Sequence, residues 1–230
     1  MNRNLTTKIA FVLDQILPPI LRDQKWFMWP LFRILFDQKS AKMFMQFKTQ
    51  APFFKDGDFD NWYCTLKKAH IQRPTDLNDD CLKHIIKNIV GKKILDIACG
   101  RGYLLKCIAQ EKSRQCYGVD LDISAEFTEE NIIWQKGHVN FIPFEDKAFD
   151  TVICTHTLEH ILDIEGAIRE LRRVCRKRLI IVVPKQREYK YTFDLHLHFF
   201  PYLFSFLKFM RNKEAICHDE FTDIYYQEDL

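Results

Sequence analysis

The spacing of hydrophobic positions changes near Lys92, and the change separates two kinds of structure. Downstream of it, short apolar runs alternate with stretches of helical spacing at 102–112 and 157–175. The runs predict five strands: Lys93–Ile97, Gln115–Val119, Ile132–Gln135, Thr151–Cys154 and Leu179–Val183. Such alternation is typical of a parallel sheet flanked by helices, and consecutive apolar residues indicate strands covered on both faces.

The remaining segments are predicted to be mainly helical. Prolines separate short helices over residues 5–50, and a further helix is predicted over 76–90. An aromatic helix is predicted over 196–211. The segment 213–226 has the pattern of two short strands on either side of Asp219-Glu220.

The composition indicates which kinds of partner and which cellular compartment to expect. The 230 residues include 34 lysines and arginines against 31 aspartates and glutamates, a net charge of +3. Nucleic-acid binding usually requires a concentrated basic face, so this balance argues against nucleic acid as the main partner. The eight cysteines form no C-x-x-C pair, and no metal site is predicted. With no signal peptide in view, a reducing cytoplasm is the expected compartment.

Aromatic residues gather near both ends of the chain. Phenylalanines cluster between positions 27 and 47 and again between 199 and 209. They form either an aromatic core or an apolar acceptor pocket or membrane-contacting surface. Charges and prolines interrupt the stretch 5–36, so no run approaches the ~18–20 uncharged residues that span a bilayer. We therefore expect a soluble protein or a peripheral one, which would contact the membrane through its N-terminal segment and 196–211.

The segment that follows Lys93 has the pattern of a ligand-binding loop. A strand runs into a tight loop of small residues and then into a helix, and Gly100 and Gly102 remove side chains where the backbone can lie against a ligand. The helix start offers unpaired N–H groups. Asp120 follows at the end of the next strand, where a carboxylate can accept two hydrogen bonds from a ribose diol.

Two features of the loop argue against a nicotinamide dinucleotide. The full G-x-G-x-x-G pattern is absent, since Ala98 and Leu105 replace its first and third glycines. Asp96 stands immediately before the loop, where its carboxylate would repel a pyrophosphate and attract the ammonium of a methionine moiety. A nicotinamide oxidoreductase is therefore disfavoured.

Four blocks follow one another between residues 92 and 183: Leu95–Gly102, Gly118–Asp120, Gly137–Phe144 and Phe149–His160. Their order and spacing resemble the class I S-adenosylmethionine (SAM)-dependent methyltransferases, particularly the type 11 branch. The blocks are similar to that family's glycine-rich motif, ribose-binding motif, G-D-A-x-x-L-P-F segment and F-D-x-V-x-x-x-x-x-L-E-H motif. Any one block is weak evidence, but the four together are specific.

The resemblance implies the architecture. The fold class would be α/β, a Rossmann-like doubly wound and mostly parallel sheet, with a helical N-terminal extension and a helical lid insertion after the fifth strand. A helical cap would occupy 1–75. The SAM-binding domain would occupy 76–230 and include an aromatic lid segment at 184–212.

The resemblance also implies which residues hold SAM. Asp96 and the Gly100–Gly102 backbone would contact its methionine end, and Asp120 the ribose hydroxyls. His138 departs from the family, because many relatives have there the aspartate that accepts the adenine amino group; a neutral ring nitrogen or the backbone would replace it. The implied cofactor contacts are Asp96, Ala98, Cys99, Gly100, Gly102, Asp120, Leu121, which would pack on the adenine, His138, Val139 and Thr155.

Histidines are the candidates for the acceptor site. In-line methyl transfer needs alignment, and a base where the acceptor carries a proton. His156 follows the fourth strand, and His196 and His198 follow the fifth, at the carboxyl ends where α/β sheets bind ligands. These three are the candidate catalytic residues. His196 and His198 share a face of an extended segment, but no third metal ligand lies at a useful spacing.

The sequence thus predicts a SAM-dependent methyltransferase acting on an oxygen of a small-molecule, lipid-linked or saccharide acceptor. The stretch Thr155–Leu158 lacks an N-P-P-Y-type tetrad, which weakens amino-group methylation of bases or glutamine. A SAM-binding protein without turnover, in a regulatory or assembly role, is the alternative.

Overall fold

The computed structural model describes residues 12–55, 57–67, 74–123, 129 and 131–230. These residues divide into two compact units. The described residues up to 67, together with 186–197, form the first unit, and the rest form the second. The sequence placed 186–197 within an aromatic segment of the SAM-binding domain, whereas these residues pack within the first unit.

The first unit is helical. Its helices are α1 (Pro19–Arg22), α2 (Lys25–Leu35), α3 (Gln38–Gln50) and α4 (Asp58–Lys67), with a π-helical turn at Val12–Ile16 and a 3-10 turn at Ala51–Phe53. Pro19 opens α1, but Pro30 lies inside α2, so this proline does not separate two helices as predicted. Residues 5–11 of the predicted helical region lie outside the described residues.

Aromatic side chains form the core of the first unit. Phe32, Phe44 and Phe47 are almost fully buried, and the rings of Phe32 and Phe193 lie 4.5 Å apart. Burying a large aromatic side chain contributes about 2–3 kcal/mol through the apolar area removed from water. An aromatic core is therefore the interpretation that fits these N-terminal phenylalanines.

Some apolar side chains of the first unit are exposed instead. Ile20, Trp26 and Ile34 are 74%, 68% and 80% exposed. Among the described residues, no helix has both the length and the apolar character required to cross a bilayer. Contact with a membrane surface stays a prediction.

A seven-stranded sheet runs through the second unit. Its strands are β1 (Lys93–Ile97), β2 (Gln115–Asp120), β3 (Ile132–Lys136), β4 (Phe149–Thr155), β5 (Cys175–Pro184), β6 (Ile216–Glu220) and β7 (Asp223–Asp229). Their order is β3-β2-β1-β4-β5-β7-β6. The first five strands are parallel, and β7 is antiparallel to both β5 and β6. The order reverses between β1 and β4, where α/β sheets open a crevice for ligands.

Helices cover both faces of this sheet: α5 (Asp79–Asn88), α6 (Tyr103–Ile108), α7 (Ile164–Val174) and α8 (Leu203–Met210). Ile153 of β4 and Ile180 of β5 pack with α5 and α6, whereas their neighbours Val152 and Leu179 pack with α7 and α8. Both faces of the central strands are thus buried, which explains their uninterrupted apolar runs. The predicted Rossmann-like, doubly wound, mostly parallel α/β fold is confirmed.

Three predicted helices are shorter than their patterns, and the one predicted over 102–112 is confined to α6. The helix predicted over 157–175 begins only at Ile164, because Asp163 accepts the N–H of Gly166 at 2.8 Å and caps the first turn. The helix predicted over 196–211 is confined to α8.

Candidate functional site

The loop between β1 and α6 bends sharply over small residues. Ala98, Gly100 and Gly102 all have positive φ, at 55°, 55° and 70°. The backbone N–H of Cys99 donates to the carbonyl of Val119 at 3.1 Å, which ties the loop to β2. Left-handed backbone favours glycine, so Ala98 holds a conformation that costs an alanine roughly 1–2 kcal/mol. The loop is thus fixed across the carboxyl ends of β1 and β2.

The two loop glycines have different surroundings. A Cβ on Gly102 would overlap the Trp134 ring of β3, and so would a Cβ on Gly118. A Cβ on Gly100 would meet no atom of the described residues within 4 Å. The sequence assigned Gly100 and Gly102 alike to ligand approach. The structure leaves that space open at Gly100, whereas Gly102 permits packing against Trp134.

Asp96 is a buried carboxylic acid at the end of β1. The residue is 2% exposed, and its Oδ1 has no hydrogen-bond partner among the described residues. Burial, with a smaller effect from the charge of Asp120, raises the pKa of Asp96 well above its ordinary value. A buried polar atom without a partner is unfavourable. A cationic group bound beside Asp96 would supply that partner and favour the charged carboxylate, as an ammonium does.

Asp120 ends β2, and backbone amides orient its carboxylate. The N–H of Gly100 donates to Oδ2 at 2.9 Å, and the N–H of Asp122 donates to Oδ1 at 3.1 Å. A carboxylate accepts several hydrogen bonds at once, so these two do not exclude a pair of hydroxyl donors. The acid is therefore held beside the open position at Gly100, with the half-buried Leu121 next in the chain.

His138 has its ring tautomer set by a neighbouring amide. The N–H of Asn140 donates to its Nδ1 at 3.1 Å. In the neutral ring the proton then lies on Nε2, which becomes a hydrogen-bond donor. That tautomer cannot accept the adenine amino group through Nε2, but it can donate to a purine ring nitrogen. Val139 is buried in the core, so its side chain faces away from solvent.

Thr155 ends β4, and His156 follows it between two acids. The His156 Nε2 lies 3.6 Å from Asp223 Oδ1, and its Nδ1 lies 3.7 Å from Glu159 Oε1. Burial alone would lower the pKa of His156, but Asp223, together with Glu159 and Asp76, raises that pKa to about 9. At neutral pH His156 is therefore an imidazolium. In that state it cannot accept a proton from an acceptor group.

His196 and His198 belong to different units. Within the first, His196 is buried and its Nδ1 lies 2.6 Å from Gln186 Oε1. Within the second, the backbone N–H of His198 donates to the Glu159 carbonyl at 3.0 Å, and its ring Nε2 donates to the Ile161 carbonyl at 2.9 Å. Burial lowers the pKa of His198. His198 is thus neutral at neutral pH, with its ring lone pair on Nδ1.

Three residues of this region were missed from the sequence. Trp134 offered no signal beyond being an aromatic residue in a predicted strand. Asp223 reaches His156 only because β7 pairs with β5, with Asp223 opposite Pro184. Glu159 stood within the L-E-H block, and its spacing of three residues from His156 was a usable signal.

Comparison with known proteins places this site in a family context. Residues 95–183 match the type 11 family model, described as a methyltransferase domain. Over 98 residues the chain is 32% identical to the 2-phytyl-1,4-naphtoquinone methyltransferase of Trichormus variabilis, covering 37% of this chain and 43% of that protein. Over 102 residues it is 31% identical to norajmaline N-methyltransferase of Rauvolfia serpentina, covering 40% and 35%. The chain thus spans less than half the length of these curated relatives.

A solved structure shows the same fold over a longer stretch. The SAM-dependent methyltransferase from Aquifex aeolicus superposes with a TM-score of 0.53 at 16% identity. The match covers 71% of this chain and 97% of that one. At this identity the likeness concerns the fold alone.

Proposed function

Residues 95–183 belong to the type 11 branch of the class I SAM-dependent methyltransferases, and on that premise we propose that the protein methylates an oxygen of a small-molecule, lipid-linked or saccharide acceptor. Asp96 carries the proposal. Its buried carboxyl group has an oxygen without a described partner, and it lies near the carboxyl end of β1, where the strand order reverses. A ligand with a cationic end meets that requirement.

The other residues of the site fit SAM as well. Asp120 would accept the ribose hydroxyls, Leu121 would pack on the adenine, and the Nε2–H of His138 would donate to a ring nitrogen. SAM supplies a methyl group already activated on a sulfonium. Further contacts are proposed at Ala98, Cys99, Gly100, Gly102, Val139 and Thr155.

An oxygen acceptor that carries a proton has to lose it. His156 is an imidazolium at neutral pH, so we assign it a stabilising charge for an acceptor oxyanion rather than the role of base. His198 is neutral, and hydrogen bonds to Glu159 and Ile161 hold it against the segment that follows β4. Its Nδ1 is the proposed proton acceptor. His196 belongs to the first unit, and its role at the acceptor stays a prediction.

The acceptor class rests on the names of two relatives and on the residues that follow β4. One relative is named for a quinone with a phytyl chain and the other for an alkaloid nitrogen, so small organic acceptors are common to both names. Oxygen is preferred because the segment after β4 lacks an N-P-P-Y-type tetrad. The exposed Ile20, Trp26 and Ile34 would suit a lipid-linked acceptor at a membrane surface.

One observation favours a SAM-binding protein without turnover as the second candidate. His156 lies directly after β4 but is protonated at neutral pH, so it cannot act as the base there. Such a protein would bind SAM through Asp96 and Asp120 but methylate nothing. The two candidates differ in turnover, not in affinity for SAM.

Turnover with a panel of acceptors tests the proposal. S-adenosylhomocysteine release is measured with alcohols, phenols, saccharides, lipid-linked hydroxyls, amines and unmodified tRNA. The proposal predicts release with an oxygen acceptor. In His198→Gln the side-chain amide can still donate to Ile161 but cannot act as a base, so turnover should fall by about 10²–10⁴ with SAM affinity unchanged.

The panel also separates the alternatives. Methylation of amines or tRNA alone would contradict the oxygen assignment. SAM binding without any methylated product would favour the non-catalytic candidate. Undiminished turnover in His198→Gln, with the wild-type pH profile, would remove His198 as the base.

A further inference from the structure

A second cluster of ligating side chains lies on the sheet edge that carries no proposed SAM contact. His84 belongs to α5, and His218 and Glu220 belong to the edge strand β6. The His84 Nδ1 lies 3.3 Å from Glu220 Oε2, and the His218 Nε2 lies 2.9 Å from the same oxygen. One ligating atom from each side chain falls within 4.8 Å of the other two.

The two nitrogen–oxygen separations match those of atoms bound to one metal ion. Imidazole nitrogens and carboxylate oxygens bind zinc at about 2.0–2.2 Å, so neighbouring ligand atoms lie ~2.8–3.6 Å apart for octahedral to tetrahedral angles. Both nitrogen–oxygen distances fall in that interval. All three side chains are partly exposed, which leaves room for an ion to enter and for water to complete its coordination.

The helix and the hairpin that carry the three side chains are held together by other contacts. His218 and Glu220 are two residues apart on β6 and therefore share a face of the strand. The His84 ring stacks on Tyr225 of β7 with centroids 4.3 Å apart. Asn78 caps α5, and its amide donates to the Glu220 carbonyl at 3.1 Å. The ligands are thus held on a helix and a hairpin that already touch each other.

We propose that His84, His218 and Glu220 bind a divalent first-row transition metal, which fastens α5 to the β6–β7 hairpin. Two imidazoles and one carboxylate suit zinc, cobalt, nickel and ferrous iron better than magnesium or calcium. Strands β4, β5 and β7 separate β6 from β1, so this site is separate from Asp96. Its effect is on the stability of the sheet edge.

No sequence pattern indicates this site, because its ligands are far apart in the chain. His84 precedes β1, whereas His218 and Glu220 lie in the next-to-last strand. Their x-His-x-Glu spacing is short and common. The three side chains come together only because β6, which pairs antiparallel with β7, lies next to α5 in the fold.

Metal binding to the full chain tests this proposal. Metal-stripped protein is titrated with Co²⁺ and followed by visible absorption, and its thermal midpoint is measured with and without Zn²⁺. We expect one equivalent bound and a midpoint raised by roughly 5–10 °C at a hundredfold excess of zinc over its dissociation constant. Absorption should lack a thiolate-to-cobalt band, since the proposed ligands are nitrogen and oxygen.

Matched variants identify the ligands. His84→Phe keeps an aromatic ring against Tyr225 but removes the ligand, and Glu220→Gln keeps the side-chain shape. Each should weaken binding at least about tenfold and abolish the zinc-dependent shift while keeping a cooperative metal-free transition. His138→Ala removes a histidine outside the cluster, and this variant should bind the metal ion as tightly as the wild type does.

Several results would overturn the proposal. If zinc leaves the thermal midpoint unchanged, the three side chains form a hydrogen-bonded cluster only. Undiminished metal binding in both His84→Phe and Glu220→Gln would show that these residues are not ligands. A thiolate-to-cobalt absorption band would implicate a cysteine such as the nearby Cys81.

Discussion

His156 holds a left-handed backbone conformation at the end of β4, with φ of 48°. Strained residues of this kind persist where surrounding contacts fix them, and they often lie at functional sites. Here the backbone N–H of His156 donates to the Val182 carbonyl at 2.9 Å, which fixes the main chain. Asp223 and Glu159 lie on either side of the ring and keep it protonated.

The raised pKa of His156 predicts a specific dependence of stability on pH. The folded protein retains its proton up to about pH 9, whereas the unfolded chain releases it near the ordinary value of 6.5. Stability from this group is fully present below pH 6.5 and is lost as the pH rises through 9. By denaturant unfolding, wild type should lose on the order of 2–3 kcal/mol across that range, and His156→Gln much less.

His198 provides a control of opposite sign for that experiment. Burial lowers its folded-state pKa, so its contribution is present above pH 6.5 and is lost as the pH falls. His198→Gln should therefore flatten the acidic side of the stability profile and leave the alkaline side unchanged. Equal alkaline slopes in wild type and His156→Gln would contradict the charge assignment of His156.

Among the elements, the β1–α6 loop gives its two glycines different surroundings. Trp134 of β3 fills the space above Gly102 and Gly118, while a Cβ on Gly100 would meet no atom of the described residues within 4 Å. The two glycines of this motif are therefore needed for different reasons: Gly102 leaves room for the Trp134 ring, and Gly100 is proposed to leave room for a ligand. The sequence alone could not separate them, because the ring that distinguishes the two positions comes from another strand.

Two alanine variants of this loop separate these requirements. Gly100→Ala and Gly102→Ala both place a side chain at positive φ, so they share a similar backbone strain. Only Gly102→Ala also overlaps Trp134, and it should lose about 1–3 kcal/mol more stability in denaturant unfolding. Gly100→Ala should remain the more stable of the two and bind S-adenosylhomocysteine at least about tenfold more weakly in calorimetry, because its methyl group would occupy the ligand's space.

The outcomes of this pair are distinguishable. Equal destabilisation would show that Trp134 does not dictate the glycine at 102. Wild-type affinity in Gly100→Ala would show that the ligand does not lie over Gly100.

The C-terminal hairpin shows where local sequence misleads at the scale of elements. The acidic pair Asp219-Glu220 indicated a turn, but both residues are in β6 and the chain turns at Phe221, with φ of 58°. Lys185 explains part of the difference, since its ammonium pairs with Asp219 at 2.6 Å. Charges that favour a turn in isolation are accommodated in a strand when a partner lies opposite.

For the molecule as a whole, the sequence predicted the features that depend on residues close together in the chain. The five parallel strands follow from consecutive apolar residues, and Asp96 and Asp120 follow from their places at the carboxyl ends of β1 and β2. The insertion of β7 between β5 and β6 does not follow, because it depends on pairing between segments distant in the chain. Asp223, which sets the charge of His156, was missed for the same reason.

Asp96, Gly100 and Asp120 form the proposed SAM site. Calorimetric titration of the full chain with S-adenosylhomocysteine tests it most directly, with Asp120→Ala titrated alongside and NADH as the control ligand. We expect binding in the micromolar range for wild type, none for a folded Asp120→Ala, and no response to NADH. Undetectable binding to wild type, unchanged affinity in Asp120→Ala, or heat from NADH would contradict it.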